Sequence, residues 1–426
     1  MNREITNFMD IMSALGIKTQ ESFEAWYESY LQGREQILFD IDGFEWDEAQ
    51  IGFQYSMGEV TDTVTAMATI LDLYSPAVAH GREVPIKKIE GYIPRQKRYE
   101  TLDENDYRTM MQQVADISSA ATLRGESPYD NILDFLSKNL LEFGGDFPLS
   151  HAQSVTYQVG QMKSNFGLSL TDVNNPNGLV DITFSAKVSA SNTLAGKYYT
   201  VKANGTVTYD ANTHPIQDIN TLLNKITWGN KYGEVEAEID DQTLLWLMGH
   251  PDFVRAIGYM TVENLITSSA SKADADARAL EIGAHRLLID GSNTEIMSAL
   301  FKRLFPKVSI LKLHDNFVAV AKLNKETKKI EKPLLKVFNE HVLLFRPAGL
   351  IGVIKNVVPV RPDSSHLHSY MFDKRGVIDY WYDPNTQTQH WRSELTALAT
   401  PNRPSKMYRI LLGETDSTSI DTEITT

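Results

Sequence analysis

Two aspartates one residue apart, Asp40 and Asp42, follow the apolar run Ile37-Leu38-Phe39 and precede Gly43. Paired carboxylates at a strand end have the chemistry to attack an electrophilic centre, to pass a proton, or to hold magnesium through hard oxygen ligands. Asp240-Asp241 offers a second acidic pair for such a metal. His366 and His368, with Asp373 nearby, have the two-residue spacing that puts two imidazoles on one face of a strand. Zero cysteines remove thiolate nucleophiles, thiolate metal sites and disulfides together. No Gly-x-Ser-x-Gly elbow, His-Glu-x-x-His helix or phosphate-cradling Gly-rich loop with Lys occurs.

The segment Ile37 to Gly43 resembles the strand-end Asp-x-Asp motif of haloacid-dehalogenase-type phosphohydrolases. That resemblance implies Asp40 as the nucleophile on phosphorus, Asp42 as acid/base and magnesium on later aspartates. The sequence departs from the pattern at Phe44, where a small hydroxyl residue belongs, and no matching Ser/Thr and Lys motifs intervene. Glu234, Glu236 and Glu238 alternate as the solvated face of a strand would. Asp40, Asp42, Asp47 and Glu48 lack the twelve-residue spacing of a calcium loop and read as a turn. The histidine pair has no third ligand of fixed placement. A magnesium-dependent phosphohydrolase using Asp40 and Asp42 therefore stands as the alternative, and no catalytic residue, cofactor or metal is assigned.

The elements that carry these groups belong to a long chain of 426 residues, enough for two or three lobes. An apolar share of 42% against 23% charged places it among folded proteins. The net charge of -14 excludes a general nucleic-acid clamp, which needs a cationic face. No signal-peptide pattern opens the sequence and no run of about 18 apolar residues occurs, so neither export by that route nor a membrane span is expected.

Helical spacing covers Ile5 to Leu31, Asp103 to Ala121 and Ser127 to Phe143, the last with Ser127 as N-cap and Pro128 at the first helical position. Gly144-Gly145-Asp146 breaks that pattern, and Leu149 to Asn165 resumes it. Between His80 and Tyr99, Gly81, Pro85, Gly91 and Pro94 alternate with Arg82, Lys87, Lys88, Arg95, Lys97 and Arg98, a basic and extended segment that reads as a projecting hairpin or arm. Leu179 to Val188 alternates as a strand with Tyr198 to Tyr209 as antiparallel partner. Helices are expected at 216–226, 241–248, 253–259 and 294–304, and strands at 286–289, 308–313, 317–323 and 334–338. The last ninety or so residues are rich in backbone punctuation and poor in reactive groups: a strand and Gly turn from His341 to Ile354, a Tyr382-Asp383-Pro384 corner, then Pro401, Pro404 and a final strand near Met407 to Leu412.

In order, these landmarks resemble the major capsid proteins of tailed phages, in particular the lambda-type head proteins with the Hong Kong phage shell fold. Gln158 to Lys163 with the strand from Leu179 is similar to the end of that family's spine helix and the strand after it. Leu244 to Phe253, with its His250-Pro251 dipeptide, resembles a helix of the axial lobe, and Phe305-Pro306, Asn339-Glu340-His341 and Pro347 to Gly352 resemble that lobe's returning strands. Tyr382-Asp383-Pro384 and Pro401 to Leu412 resemble the strand pair that returns to the peripheral lobe.

The resemblance implies an α+β shell fold divided as an N-terminal arm at 1–75, an extended loop at 76–102, and a peripheral domain with spine helix and strands at 103–223. An axial domain at 224–356 and a return to the peripheral domain with a C-terminal tail at 357–426 complete it. It implies a non-enzymatic major capsid protein that self-assembles into hexamers and pentamers of an icosahedral virion head, enclosing double-stranded DNA without reading its sequence. Portal, scaffold and decoration proteins are the further partners implied, with assembly in the host bacterial cytoplasm, no membrane, and no cross-link predicted. Arg82, Lys87, Lys88, Tyr92, Ile93, Arg95, Lys97 and Arg98 of the extended loop would contact a neighbouring subunit, with Asp130, Asp134 and Glu142 on the spine as acidic partners. Another phage structural protein, of the tail or head completion, is the second alternative.

Overall fold

Period-two apolar patterning builds two sheets and a 3.6-residue period builds the helices that cover them. The computed structural model describes residues 19, 21–25, 28, 41–60, 86–102, 104–124, 128–176, 178–229, 234–262, 269–323, 330–359, 367–372, 375–383 and 388–416. The first half runs β1 (Phe44–Trp46), β2 (Gln54–Val60), β3 (Ile86–Tyr92), β4 (Arg95–Leu102), α1 (Glu104–Leu123), α2 (Pro128–Ser164), β5 (Gly167–Leu170), β6 (Ile182–Ser185), β7 (Thr193–Lys202) and β8 (Val207–Tyr209). There follow α3 (Pro215–Gly229), β9 (Val235–Asp240), α4 (Asp241–Met248), α5 (Pro251–Thr261), α6 (Lys272–Asp290), α7 (Thr294–Leu304) and β10 (Val308–His314). The remainder is β11 (Phe317–Ala319), β12 (Lys322–Leu323), β13 (Ile330–Glu331), β14 (Leu334–Lys336), β15 (Val342–Pro347), β16 (Gly352–Asn356), β17 (Leu367–Phe372), β18 (Gly376–Asp383), β19 (Thr388–Pro401) and β20 (Tyr408–Asp416). The fold is mixed α+β. Among the described residues no helix is long and apolar enough to cross a membrane.

The first sheet has the order β1-β16-β19-β18-β17, with β4 beside β19. The second has the order β10-β9-β15-β20-β7-β8. One core lies between the first sheet and α2, where Phe147, Val155, Val159 and Met162 meet Ile354, Ile378, Trp391 and Leu398. The other lies between the second sheet and α3, α4, α5 and α7, where Val235, Ala237, Ile239, Leu343, Phe345, Ile410 and Leu412 meet Leu223, Leu247, Phe253 and Phe301. Strand β15 serves both: Val342 and Leu344 point to the first core, Leu343 and Phe345 to the second. Sheet alternation thus makes one strand a shared wall.

Several expectations change. Helix α2 runs unbroken through Gly144-Gly145-Asp146 and Pro148, about 55 Å of helix. The carbonyl that the Pro148 ring crowds belongs to Gly144, where the backbone has room to adjust, so the proline is absorbed rather than ending the helix. Residues 286–289 lie in α6, not in a strand: Ser271 caps that helix by accepting from the Asp274 amide at 3.1 Å, and Ala275, Ala279 and Gly283 are buried at helical spacing. Those small residues let α5 approach closely, since a Cβ on Gly258 would fall 1.8 Å from the Ala279 carbonyl oxygen and one on Gly283 1.8 Å from that of Val254.

Strand β6 pairs with β5 rather than with 198–209, which folds back on itself as β7 and β8. The closing strand β20, expected to form a strand pair with the segment at Tyr382-Asp383-Pro384, instead inserts into the second sheet between β15 and β7, antiparallel to one and parallel to the other, while Tyr382 and Asp383 lie on β18 of the first sheet. Of the expected N-terminal helix, 21–25 and 28 are helical, and Phe23 is fully buried against Tyr380 and Trp391. The rest of 5–31 and the apolar run Ile37-Leu38-Phe39 lie outside the described residues, apart from Thr19.

Candidate functional site

The basic segment divides into two parts with different surroundings. Strands β2 and β3 form a two-stranded antiparallel ribbon from Gln54↔Tyr92 to Val60↔Ile86. Among the described residues neither strand pairs with any other, so both edges of the ribbon are open. At its base the Ile93 amide donates to the Phe53 carbonyl at 2.8 Å, and Tyr55 is buried against Gly91. Half-exposed Tyr92 stacks on Phe53 with ring centroids 6.0 Å apart.

Beyond Pro94 the chain joins the first sheet. Strand β4 pairs with β19 from Arg95↔Thr396 to Leu102↔Gln389. Arg95 and Lys97 lie 3.1 and 3.6 Å from the Glu394 carboxylate, and Arg98 lies 2.5 Å from Glu100 with its guanidinium 5.2 Å from the Phe147 ring centre. The segment that composition marks as a projecting hairpin or arm therefore has its second half built into a sheet. The reason is that Glu394 and Glu100, distant or unremarked in the sequence, neutralise its charges. Ile93, expected on a contact surface, is fully buried in the first core. Lys87 and Lys88 lie on β3 opposite Glu59 and Gly58, and Asp130, Asp134 and Glu142 lie on α2. The side chains of these five, and Arg82 altogether, fall outside the described residues.

Of the carboxylates singled out for chemistry, Asp42 and Asp240 are held in ion pairs. Asp40 lies outside the described residues, whereas Asp42 sits in the turn before β1, shaped by Gly43 at φ +77°. Its Oδ2 accepts from Lys312 Nζ and from Arg346 Nη2, both at 2.5 Å, and lies 3.7 Å from Lys163 Nζ. Behind it, Lys163 Nζ donates to Glu238 Oε2 at 3.0 Å, Arg346 Nη2 to Glu236 Oε2 at 2.7 Å, and Arg346 Nε to Glu238 Oε1. His314 Nε2 lies 2.8 Å from Glu238 Oε2. The network ties the turn before β1, the end of α2, and strands β9, β10 and β15 into one cluster.

Glu238 is 0% and Glu236 8% exposed, so the face of β9 expected to be solvated is buried. The register explains it: Glu238 stands opposite Lys312 on β10, and Glu236 opposite Arg346 on β15. Burial pushes the Glu238 pKa up, but the Lys163 charge, the His314 hydrogen bond and the Arg346 charge hold it well below the ordinary glutamate value. Burial likewise opposes ionisation of Asp42, and the Lys312 hydrogen bond with the charges of Lys163 and Arg346 keeps its pKa below normal. A carboxylate so clamped is a poor nucleophile and a poor acid. A signal was present in the sequence: acidic residues at period two in β9, basic ones at period two in Lys312-Leu313-His314, and a lone Arg in the apolar strand Val342–Pro347.

Asp240 is occupied as well. Its Oδ2 accepts from the Thr243 amide and hydroxyl, both at 3.0 Å, capping α4, and its Oδ1 accepts from Lys336 Nζ at 2.7 Å. His366, Asp373 and the His368 side chain fall outside the described residues. Among the described residues no group of three or more His, Asp or Glu is arranged to hold a metal.

The sequence matches no family model and no curated protein. Among solved structures, the chain is similar to a proposed capsid protein of an E. coli CFT073 prophage, at 10% identity and a TM-score of 0.41, over 92% of this chain and 99% of that one. It is similar to the mature capsid of bacteriophage PhiM1 at 12% identity and a TM-score of 0.38, over 89% and 87%. The capsid of Myoviridae phage XM1 aligns at 9% identity and a TM-score of 0.35, over 87% and 89%.

Proposed function

We propose that this chain is a shell subunit, a major capsid protein that self-assembles into the hexamers and pentamers of an icosahedral head enclosing the double-stranded DNA of a tailed phage. The observation that carries the reading is the ribbon of β2 and β3, two strands paired with each other and open along both edges among the described residues. An isolated two-stranded ribbon is marginal in water, and open edges are templates for pairing with another chain. Such an element belongs on a surface supplied by a neighbour. The order of sequence landmarks that resembles tailed-phage head proteins gives that neighbour its identity, a second copy.

In this reading the extended loop is the ribbon, and β4 is its root. Lys87, Lys88 and Tyr92 lie against the next subunit, with Asp130, Asp134 and Glu142 of α2 as the acidic counterparts. Rings of identical subunits close because the rotation closes, each contact burying roughly 2,000 Å² or more. The second sheet with α3 to α7 surrounds the ring axes, and the first sheet with α2 forms the shell floor. Net charge of -14 keeps packaged DNA from adhering to the wall. Portal, scaffold and decoration proteins complete the virion, assembled in the bacterial cytoplasm.

The test is assembly of the purified protein, followed by size exclusion and electron microscopy. Shells or capsomer-sized rings are expected, and a concentration-independent monomer, or open tubes of a tail protein, would overturn the reading. Because Arg95 and Lys97 are paired within the chain, the discriminating variant reverses Lys87 and Lys88 to Glu. That variant is expected to fold normally and not to assemble, and shells at wild-type yield would refute the role given to the ribbon.

A further inference from the structure

Asp42 and Lys312 are the two partly exposed members of a charge cluster whose other members are buried or nearly so, and the position of Asp42 can be read as that of a ligand. Lys163 and Arg346 are 2% and 1% exposed, so two of the three cations that meet at Asp42 Oδ2 are cut off from water. The third, Lys312, makes its one described ion pair with Asp42. Glu236 and Glu238 carry two negative charges against the three positive charges of Lys163, Lys312 and Arg346, so among these five side chains one positive charge is left over. Asp42 supplies the missing negative charge from a short connection: β1 is three residues long and parallel-paired to β16, and the Asp42 side chain is 39% exposed on its outer side. A partly buried cluster with one positive charge in excess is costly to leave without a counter-ion.

We propose that Lys163, Lys312 and Arg346 form an oxyanion-binding site, occupied in this conformation by the Asp42 carboxylate and open to a small free oxyanion of the sulfate and phosphate class when that carboxylate is withdrawn. The geometry suits such a ligand, because one oxygen already accepts from two donors at 2.5 Å and a third cation stands 3.7 Å away. The tethered carboxylate has the advantage of high effective concentration, so the intact chain takes up free anion only weakly. The inference is independent of the shell reading.

The full chain carrying Asp42→Ala tests it. Thermal unfolding is followed in sodium chloride and in sodium sulfate at matched ionic strength, and inorganic phosphate is titrated calorimetrically into the folded protein. The Asp42→Ala midpoint is expected to fall in chloride and to recover saturably with sulfate, while the wild-type midpoint shows only the general salting effect. Adding Lys312→Ala to Asp42→Ala removes the surplus charge and is expected to abolish both the sulfate recovery and the phosphate heat. Equal sulfate responses in all three proteins would overturn the site. Where Asp42→Ala is insoluble in chloride, its folding in sulfate while the double variant with Lys312→Ala stays insoluble there supports the site, and equal rescue of both by sulfate overturns it. Insolubility of both Asp42→Ala and the isosteric Asp42→Asn in both salts overturns it, since sulfate would then have failed to restore the missing charge.

Discussion

Mild acid should weaken the fold through one buried histidine. His151 lies on α2 with its Nε2 2.9 Å from Ser393 Oγ on β19, its Nδ1 3.4 Å from Gln96 Oε1 on β4, and its ring stacked on Phe372 at 5.8 Å. Burial, reinforced by the Arg98 charge, pushes its pKa from 6.5 down to about 4. The unfolded chain binds a proton there between those values and the folded chain does not, so stability falls as pH drops from 6.5 towards 4. At about 1.4 kcal/mol per pH unit, the loss is about 2 kcal/mol at pH 5 and about 3 kcal/mol at pH 4. Urea unfolding of the purified protein at half-unit steps from pH 7 to 4, wild type beside His151→Gln, isolates the effect. His250 and His341, also pushed down by burial, and the clamped carboxylates are common to both proteins and cancel in the difference. The wild-type curve should fall more steeply through this window, and parallel curves would refute the assignment of His151 as buried and neutral.

Two further outcomes follow from packing and charge. Glu238→Gln leaves Lys163 and Arg346 short of their shared counter-ion and should cost about 3–5 kcal/mol at pH 7, measured by chemical denaturation. Because the folded Glu238 pKa lies well below 4.5, the wild-type advantage is full above that value and fades as pH falls through the folded pKa; an advantage that grew on acidification would contradict the assignment. Gly258→Ala should destabilise by about 1–3 kcal/mol or more, because its Cβ would meet the Ala279 carbonyl oxygen at 1.8 Å and force α5 from α6; a change within about 0.5 kcal/mol would contradict that packing.

What can be read from the sequence is local. Helix α4 matches its expected limits because Asp240 caps it and Gly249 ends it, signals contained within ten residues. Helices α3, α5 and α7 are legible from apolar spacing in the same way, and the turn after β15 from Gly349, which holds φ +85°. Failures come where a distant partner decides. Nothing within Tyr408 to Leu412 says that Ile410 stands opposite Leu343; the register of β20 with β15 fixes it.

The same holds for the charged face of β9, which reads as solvated until Lys312 and Arg346 are placed opposite Glu238 and Glu236. It holds again for β4, whose cations look free until Glu394 of β19 stands beside them. The unbroken α2 is a different kind of failure, because Gly144 and Pro148 are each helix breakers alone and compatible at a spacing of four.

The place of β20 has a consequence for synthesis. The second sheet cannot close on itself from its earlier strands, because β7 and β15 are joined only through residues 408–416. As the chain emerges from the ribosome, β7, β9, β10 and β15 are all made while the slot between β7 and β15 is still vacant. A nascent chain therefore carries two open strand edges, which chaperones or stray copies can engage. Only when Asp416 has cleared the exit tunnel can the last strand fill the slot, by a pairing that spans more than two hundred residues from Thr193 to Arg409. Completion of the fold is thereby timed to the end of this stretch of translation, so that a chain stalled short of it has an unfinished sheet.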